Sequence, residues 1–139
     1  MATEIKTSII INALPDQVWK VLTNFDEYKN WNPFIKTVTG NVAVNNKIRV
    51  EFDAMTFKPK VLKYNTNQEF EWLGHLFFPG LFDGKHSFTL IDNEDGTTTL
   101  FQQEIFKGIL VPLFKKKLLV ETKLDFENMN KKLKEQVEK

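Results

Sequence analysis

The segment KHSFTLIDNEDGTTTLFQQEIFK, residues 85–107, decides the fold. Its two halves alternate apolar and polar side chains with a period of two, which is typical of strands that have one buried face. Between the halves, Glu94-Asp95-Gly96 has the composition of a three-residue hairpin loop in which Gly96 takes the left-handed backbone conformation. In the register that this loop sets, His86 lies directly opposite Glu104 on an antiparallel pair of strands.

Three polar side chains fall on the faces of this hairpin that should be dry. His86 shares its face with Phe88, and Gln102 and Glu104 share theirs with Phe106. Opposite side chains in an antiparallel pair have Cβ atoms about 4.5 to 5.5 Å apart, so we expect the imidazole and the carboxylate to interact. Two interpretations stay open: the pair anchors a ligand or transfers a proton, or it is a structural pair that satisfies its own hydrogen bonds.

No catalytic triad or metal site can be assembled around this pair. The chain has no cysteine, and Ser87 lies on the opposite face of its strand from His86. The second histidine, His75, alternates out of phase with Trp72 and is expected to point outward. Two histidines without matched spacing do not form a metal site, so we expect neither a metal nor another cofactor.

The hairpin is the last part of a longer antiparallel meander. Period-two patterning from residue 35 to about residue 106, interrupted by turns rich in Asn, Asp and Gly, predicts about six strands. In the clearest of them, residues 47–54, the charged positions alternate with Ile48, Val50, Phe52 and Ala54. Residues 3–12 have a similar pattern, which brings the expected total to about seven strands.

Helical spacing replaces this alternation on both sides of the meander. Pro15 and Asp16 suit the first turn of a helix, and two short helices are expected after the first strand. Beyond Pro112 the sequence predicts one long amphipathic helix. Its buried stripe consists of Phe114, Leu118, Thr122, Phe126, Met129, Leu133 and Val137. The elements make one α+β domain, residues 1–139, in which a curved antiparallel sheet wraps the C-terminal helix and can leave a hollow beside it.

Composition excludes several classes of protein. The 139 residues carry 19 basic against 18 acidic side chains, with Arg49 as the only arginine, which argues against nucleic-acid binding. The first residues lack the basic and long apolar stretches of a signal peptide, and no run is long enough to span a membrane, so a cytoplasmic location is expected. The 13 phenylalanines indicate either a bulky core or a hollow lined with aromatic rings.

Two apolar segments are unusual for loops. Residues 77–82, FFPGLF, coincide with a predicted turn, and residues 108–114, GILVPLF, are followed by Lys115, Lys116 and Lys117. Apolar side chains beside a basic cluster are typical of a surface that contacts a membrane, and the first segment also suits the rim of a cavity. The alternative is that both segments pack beneath the final helix.

The sequence resembles a known superfamily along essentially its whole length. Residues 13–19, ALPDQVW, leading to Leu22, and then Trp31-Asn32-Pro33-Phe34, resemble the opening signature of the SRPBCC superfamily, the START-related proteins that include polyketide cyclase/dehydrase-like and birch-pollen-allergen-type members. Trp72 and residues 79–84, 86–88 and 104–113 are similar to one bacterial branch of it. The resemblance implies a helix-grip fold around an apolar cavity that in many relatives holds lipids, sterols or polyketides. No catalytic set of the cyclases matches this sequence residue by residue, so the resemblance does not imply an enzyme.

The residues are compatible with three functions. The first is binding of a hydrophobic small molecule, either a lipid, a sterol-like molecule or an aromatic polyketide-like molecule, in an internal cavity. The second is a cyclase, dehydratase or hydrolase that uses His86 and Glu104 as a proton-transfer couple. The third is an adaptor that docks on a protein or a membrane through residues 77–82 and 109–117. The oligomeric state stays open. The residues expected to contact a ligand are Trp31, Phe34, Phe52, Trp72, His86, Phe88, Gln102, Glu104, Phe106 and Phe126.

Overall fold

The computed structural model describes residues 2–53 and 55–139. The strands are β1 (Thr3–Ile11), β2 (Ile35–Thr39), β3 (Arg49–Phe52), β4 (Thr56–Phe57), β5 (Lys60–Asn65), β6 (Glu69–His75), β7 (Asp83–Asp92) and β8 (Thr98–Lys107). The helices are α1 (Pro15–Leu22), α2 (Tyr28–Trp31), α3 (Val111–Lys117) and α4 (Lys123–Glu138). A 3₁₀ turn, Phe25–Glu27, precedes α2, and a π-helical turn, Leu118–Thr122, joins α3 to α4.

The hairpin formed by β7 and β8 has the register predicted from its loop. Gly96 has a φ of +90°, Asn93 N–H donates to the carbonyl of Thr97 at 3.1 Å, and His86 pairs with Glu104. A two-residue alternation and one turn therefore suffice to place two polar side chains opposite each other.

The strands form two sheets instead of the single sheet that the meander suggested. One has the order β1-β8-β7-β6-β5 and the other β2-β3-β4, so the part of the chain that the structure describes has eight strands instead of about seven. Between β4 and β5 the pairing with the segment before β3 is reduced to an isolated bridge between Lys47 and Lys60, where Ile48 N–H donates to the carbonyl of Pro59 at 2.9 Å. The strand expected at residues 47–54 is shorter, since β3 ends at Phe52, and Ala54 lies outside the described residues.

The C-terminal helix is continuous but not uniform. Residues 111–138 run through α3, the π-helical turn and α4, and α4 packs against β1 and α1. Leu118, Phe126, Met129 and Leu133 are buried, as the predicted stripe requires, whereas Phe114 is 40% exposed. The α+β class and the grip of the sheet on this helix are thus as expected. Within the described residues, none of the helices has the length and apolar character needed to cross a bilayer.

Candidate functional site

A cavity of about 450 Å³ lies between the two sheets and the segment formed by α3 and the π-helical turn. Its floor includes the buried side chains of Trp72, His86 and Phe106, and its mouth includes the exposed side chains of Met55 and Phe114. The aromatic part of the wall consists of Phe34, Phe52, Phe57, Trp72, Phe82, Phe106 and Phe114. A pocket with this volume and an aromatic wall is in the range of small-molecule sites, which is about 300 to 1,000 Å³.

The floor is a row of three side chains on adjacent strands. Trp72 on β6 pairs with His86 on β7, and His86 pairs with Glu104 on β8. The His86 ring stacks on the indole of Trp72 with ring centroids 4.8 Å apart, and it lies at the same distance from the ring of Phe126 on α4. The imidazole is therefore fixed between two aromatic rings, with its edges free to make hydrogen bonds.

Both edges of the imidazole have a polar partner. His86 Nδ1 lies 3.1 Å from Glu104 Oε1, and His86 Nε2 lies 3.0 Å from Gln102 Oε1. The His86 side chain is 2% exposed and that of Glu104 is 14% exposed, so the carboxylate is the part of the pair that reaches the cavity. The carboxylate is the accessible end of an otherwise buried polar group.

Behind His86 the hydrogen bonds continue to β1 and α4. Gln102 Nε2 donates to Asn130 Oδ1 at 2.7 Å, and Asn130 Nδ2 donates to Thr7 Oγ1 at 2.9 Å. The Thr7 hydroxyl in turn donates to the backbone carbonyl of Gln102 at 2.8 Å. All of these groups are buried. We refer to Thr7, Asn130, Gln102, His86 and Glu104 together as the polar chain.

The direction of these hydrogen bonds determines where protons sit. Thr7 has one hydroxyl hydrogen, which it gives to a carbonyl, so its oxygen must accept from Asn130. That fixes the amide orientations of Asn130 and then of Gln102, whose Oε1 can only accept. His86 Nε2 therefore carries a proton, and one further proton is shared between His86 Nδ1 and Glu104. The pair is electrically neutral overall, whichever of the two groups holds that proton.

The second carboxylate oxygen of Glu104, Oε2, can occupy its position because residue 84 is a glycine. A Cβ added at Gly84, the neighbour of Phe106 across the β7–β8 ladder, would overlap Glu104 Oε2. Among residues 2–53 and 55–139, Oε2 makes no hydrogen bond, and Glu104 lines the cavity. Since a strand glycine marks a close approach, Gly84 provides the space that leaves this oxygen available to a bound molecule.

The mouth of the cavity carries charges of both signs. Asp53, Lys117 and Asp125 line it. Partial burial raises the pKa of Asp125, the carboxylates of Glu121 and Asp53 raise that pKa further, and the Lys117 ammonium opposes the change. The mouth is thus more polar than the floor, apart from the single carboxylate of Glu104.

Six of the ten residues expected to contact a ligand line the cavity, and four do not. Trp31, Phe88, Gln102 and Phe126 are outside its wall. Gln102 lies behind His86, and Phe126 is fully buried against the rings of His86 and Phe34. Trp31 packs edge-on against Tyr28, with ring centroids 5.2 Å apart. The six that line the wall are Phe34, Phe52, Trp72, His86, Glu104 and Phe106.

A pair of facing glycines is a feature of the sequence that indicates the position of the cavity. Gly74 and Gly84 pair across β6 and β7 and both line the wall. Two glycines opposite each other inside strands indicate a place where side chains are excluded, so they could have been identified from the alternation. His75, in contrast, is on the outer side as expected, where its Nδ1 lies 2.7 Å from Asp83 Oδ1.

Comparison with known proteins gives one family for the whole chain. Residues 2–138 match the model of the family described as polyketide cyclase / dehydrase and lipid transport. No curated protein matches the sequence.

Solved structures have the same fold at low sequence identity. A protein of Mesorhizobium loti is 18% identical with a TM-score of 0.77, covering 97% of this chain and 96% of its own. A START superfamily protein of Mycobacterium smegmatis is 17% identical with a TM-score of 0.73, and 97% of each chain is covered. The Zhui aromatase/cyclase of Streptomyces sp. R1128 is 12% identical with a TM-score of 0.76, covering 99% of this chain and 94% of its own.

Proposed function

The chain belongs to the family of polyketide cyclases/dehydrases and lipid-transport proteins, and from that premise we propose that it binds one hydrophobic small molecule in its cavity. The ligand we infer has an apolar body, held by the aromatic wall, and a hydrogen-bond donor, such as a hydroxyl group, that faces Glu104 Oε2. The observation that carries this proposal is the free carboxylate oxygen at the end of the polar chain, in a cavity of about 450 Å³.

The donor on the ligand follows from the protons already present. When His86 holds the shared proton, its Nδ1 donates to Glu104 Oε1, and the ionised carboxyl group presents Oε2 as an acceptor. A ligand without a donor would bury this oxygen unpaired, and an unsatisfied buried acceptor costs about 1 to 3 kcal/mol. We therefore expect a hydroxylated ring compound to bind about 5 to 150 times more tightly than the same ring without the hydroxyl group.

A matched pair of ligands tests this directly. Trp72 is in the cavity wall, so a Trp19→Phe/Trp31→Phe variant keeps one tryptophan whose fluorescence reports on the cavity. We expect 2-naphthol to quench it at lower concentration than naphthalene, and Glu104→Leu to remove that preference. Equal affinities for the two compounds in the variant with intact Glu104, or binding of neither, would contradict the proposal.

Acid–base catalysis on the bound molecule is the second candidate function. It is favoured by the shared proton between His86 and Glu104, which reaches the cavity through the carboxylate. Such a couple could remove a proton and return one during cyclisation, dehydration or hydrolysis. Hydroxylated ring ligands that bind are incubated with the protein, and products are followed by mass spectrometry. Glu104→Gln should abolish conversion while ligand affinity survives, because the amide keeps an oxygen at this position; conversion that persists in Glu104→Gln would exclude the role.

A further inference from the structure

Four large apolar side chains are exposed beside the cavity mouth. The exposed fractions are 84% for Phe77, 58% for Phe78, 77% for Ile109 and 77% for Leu113. Single exposed apolar residues are ordinary, but a group of them from two chain segments marks an interaction surface. We call these four residues the apolar rim.

The two segments of the apolar rim are held together by backbone hydrogen bonds. Ile109 N–H donates to the carbonyl of Gly80 at 3.1 Å, and Leu110 N–H donates to the carbonyl of Leu81 at 3.0 Å. Gly108 has a φ of +137° and lies so close to the Leu81 carbonyl that a Cβ would overlap it. The Asp83 carboxylate accepts from the backbone N–H of Gly80 at 3.1 Å. These contacts place the exposed side chains in one defined arrangement.

Phe77 is exposed and also adopts an unfavourable backbone conformation. Its φ is +67°, in the left-handed region where glycine and asparagine are favoured and a bulky side chain is an outlier. Burial of the ring within the chain does not compensate for this conformation, since the ring is mostly exposed. A strained residue that contributes little packing indicates a function outside the folded chain.

A basic cluster follows Leu113, the member of the apolar rim that lies on α3. Lys115, Lys116 and Lys117 are exposed at the end of α3, three residues in a chain whose net charge is only +1. Within the part of the chain that the structure describes, none of the three is in an ion pair. The acidic groups closest to this helix end in sequence are Glu121 and Asp125, and Lys117 acts on the pKa of Asp125. Lys115 and Lys116 are thus available to an external anion.

From these observations we propose that the apolar rim and the lysines dock on the surface of an anionic lipid bilayer. Aromatic and aliphatic side chains enter the boundary between headgroups and acyl chains, and adjacent lysines bind the anionic headgroups. The same segments carry Phe82 and Phe114, whose rings contact each other with centroids 5.9 Å apart and line the cavity. Docking in this way turns the cavity mouth toward the bilayer, where a hydrophobic ligand would be dissolved.

Vesicle sedimentation tests the charge component. The protein is expected to sediment with vesicles of phosphatidylcholine and phosphatidylglycerol, but not with phosphatidylcholine alone, and less at 0.5 M than at 0.05 M salt. Lys115→Gln/Lys116→Gln should weaken the partition coefficient roughly 25-fold, because each lysine near an anionic surface is worth about a factor of five. The matched control is Lys20→Gln/Lys131→Gln, which removes the same charge from exposed positions on α1 and α4 and should bind as wild type.

Phe77 supplies a test that does not depend on charge. Phe77→Asn is expected to leave the melting temperature unchanged or higher, because asparagine tolerates the left-handed conformation, and to weaken vesicle binding at least tenfold. The control is Ile91→Ser, which removes an exposed apolar side chain from the other end of β7, about 26 Å from Asp83 along the strand.

Three results would overturn docking on a bilayer. They are absence of wild-type binding to anionic vesicles, binding by Phe77→Asn or Lys115→Gln/Lys116→Gln equal to wild type, and a dimer in solution that Phe77→Asn dissociates, since a second copy would then be the occupant. The outcome is separate from that of the ligand proposal. Lys115→Gln/Lys116→Gln should bind 2-naphthol normally in vesicle-free buffer, because neither lysine lines the cavity.

Discussion

The polar chain places polar side chains in the interior, and the apolar rim places apolar side chains on the surface. Only the polar chain has partners within the molecule that offset the cost of this placement. The polar chain buries His86, Gln102 and Asn130, and each finds hydrogen-bond partners inside the protein. The apolar rim exposes Phe77 and Ile109, which gain no such compensation. The difference teaches that a buried polar group can be explained by its own network, whereas an exposed apolar group requires a partner from outside.

The polar chain nevertheless has one uncompensated end. Glu104 Oε2 reaches the cavity beside Gly84 and makes no hydrogen bond within residues 2–53 and 55–139. The open position of the network therefore faces the cavity, where a ligand could complete it. For this reason we distinguish the buried members, which hold the structure, from the carboxylate, which we propose contacts the ligand.

Among the variants that test this comparison, Gln102→Leu is expected to lower the free energy of unfolding the most. The substitution leaves His86 Nε2 and Asn130 Oδ1 without partners in the core, so we expect the free energy of unfolding to fall by about 3 kcal/mol or more. Leu113→Ser, in the apolar rim, should change it by less than about 0.5 kcal/mol, since Leu113 is mostly exposed. Urea denaturation followed by circular dichroism measures both. A loss below about 1 kcal/mol for Gln102→Leu would show that the buried network is not needed to hold the fold.

A smaller effect with a specific signature is expected for Thr7→Val. The change keeps the shape of the side chain but removes the group that fixes the orientations of the Asn130 and Gln102 amides, and it should cost about 1 to 2 kcal/mol. Without Thr7 the two amides can also flip in part of the population, and His86 Nε2 then faces the Gln102 NH₂ group and accepts a hydrogen bond in place of carrying a proton. Nitrogen-15 NMR of the imidazole measures this, with His75 as an internal reference.

A second buried threonine provides the control for that experiment. Thr98 is fully buried and donates its hydroxyl to the Ala13 carbonyl at 2.8 Å, but within the described residues its side chain makes no hydrogen bond to the polar chain. Thr98→Val should therefore produce a similar loss of stability with an unchanged His86 spectrum. An unchanged spectrum in Thr7→Val as well would disprove the relay of orientations from β1 to the imidazole.

The hairpin at the centre of the site was predictable because its information is local. Strand alternation and the Gly96 turn were enough to pair His86 with Glu104. The other end of the polar chain was not, since Asn130 and Thr7 are 123 positions apart and meet only when α4 packs on β1. Spacing along one helix or strand carries no signal for such a contact.

The sequence predicted that the cavity would have an aromatic lining, but not which of the aromatic residues line it. Phe34, Phe52 and Phe106 were among the expected ligand contacts, but the sequence patterns could not separate them from Phe88 and Phe126, which fill the core instead. A wall residue and a core residue have the same pattern, because both face inward. The exposure of the apolar rim likewise depends on the loop at residues 77–81, whose backbone conformation no periodicity describes.

The smallest change in stability is expected for a substitution of Asp125, at the cavity mouth. Its pKa is raised by partial burial and by Glu121 and Asp53, so the folded chain holds this proton more tightly than the unfolded chain does. Stability therefore declines as the pH rises from below the ordinary value of 3.8 through the raised pKa. Asp125→Asn should raise stability at pH 7 by a few tenths of a kcal/mol, because the group is largely exposed, and should give no gain at pH 3.

Replacing the neighbouring cation, Lys117, is expected to change stability at pH 7 in the opposite direction. Lys117 lowers the pKa of Asp125, so Lys117→Gln should slightly reduce stability at pH 7 and leave it unchanged at pH 3, where Asp125 is protonated in both states. Thermal unfolding of both variants at the two pH values measures the pair of effects. If Asp125→Asn lost stability at pH 7, the carboxylate would be making a favourable contact with Lys117 that outweighs its repulsion from Glu121 and Asp53. The mouth would then behave like the polar chain, compensated from within, and unlike the apolar rim beside it.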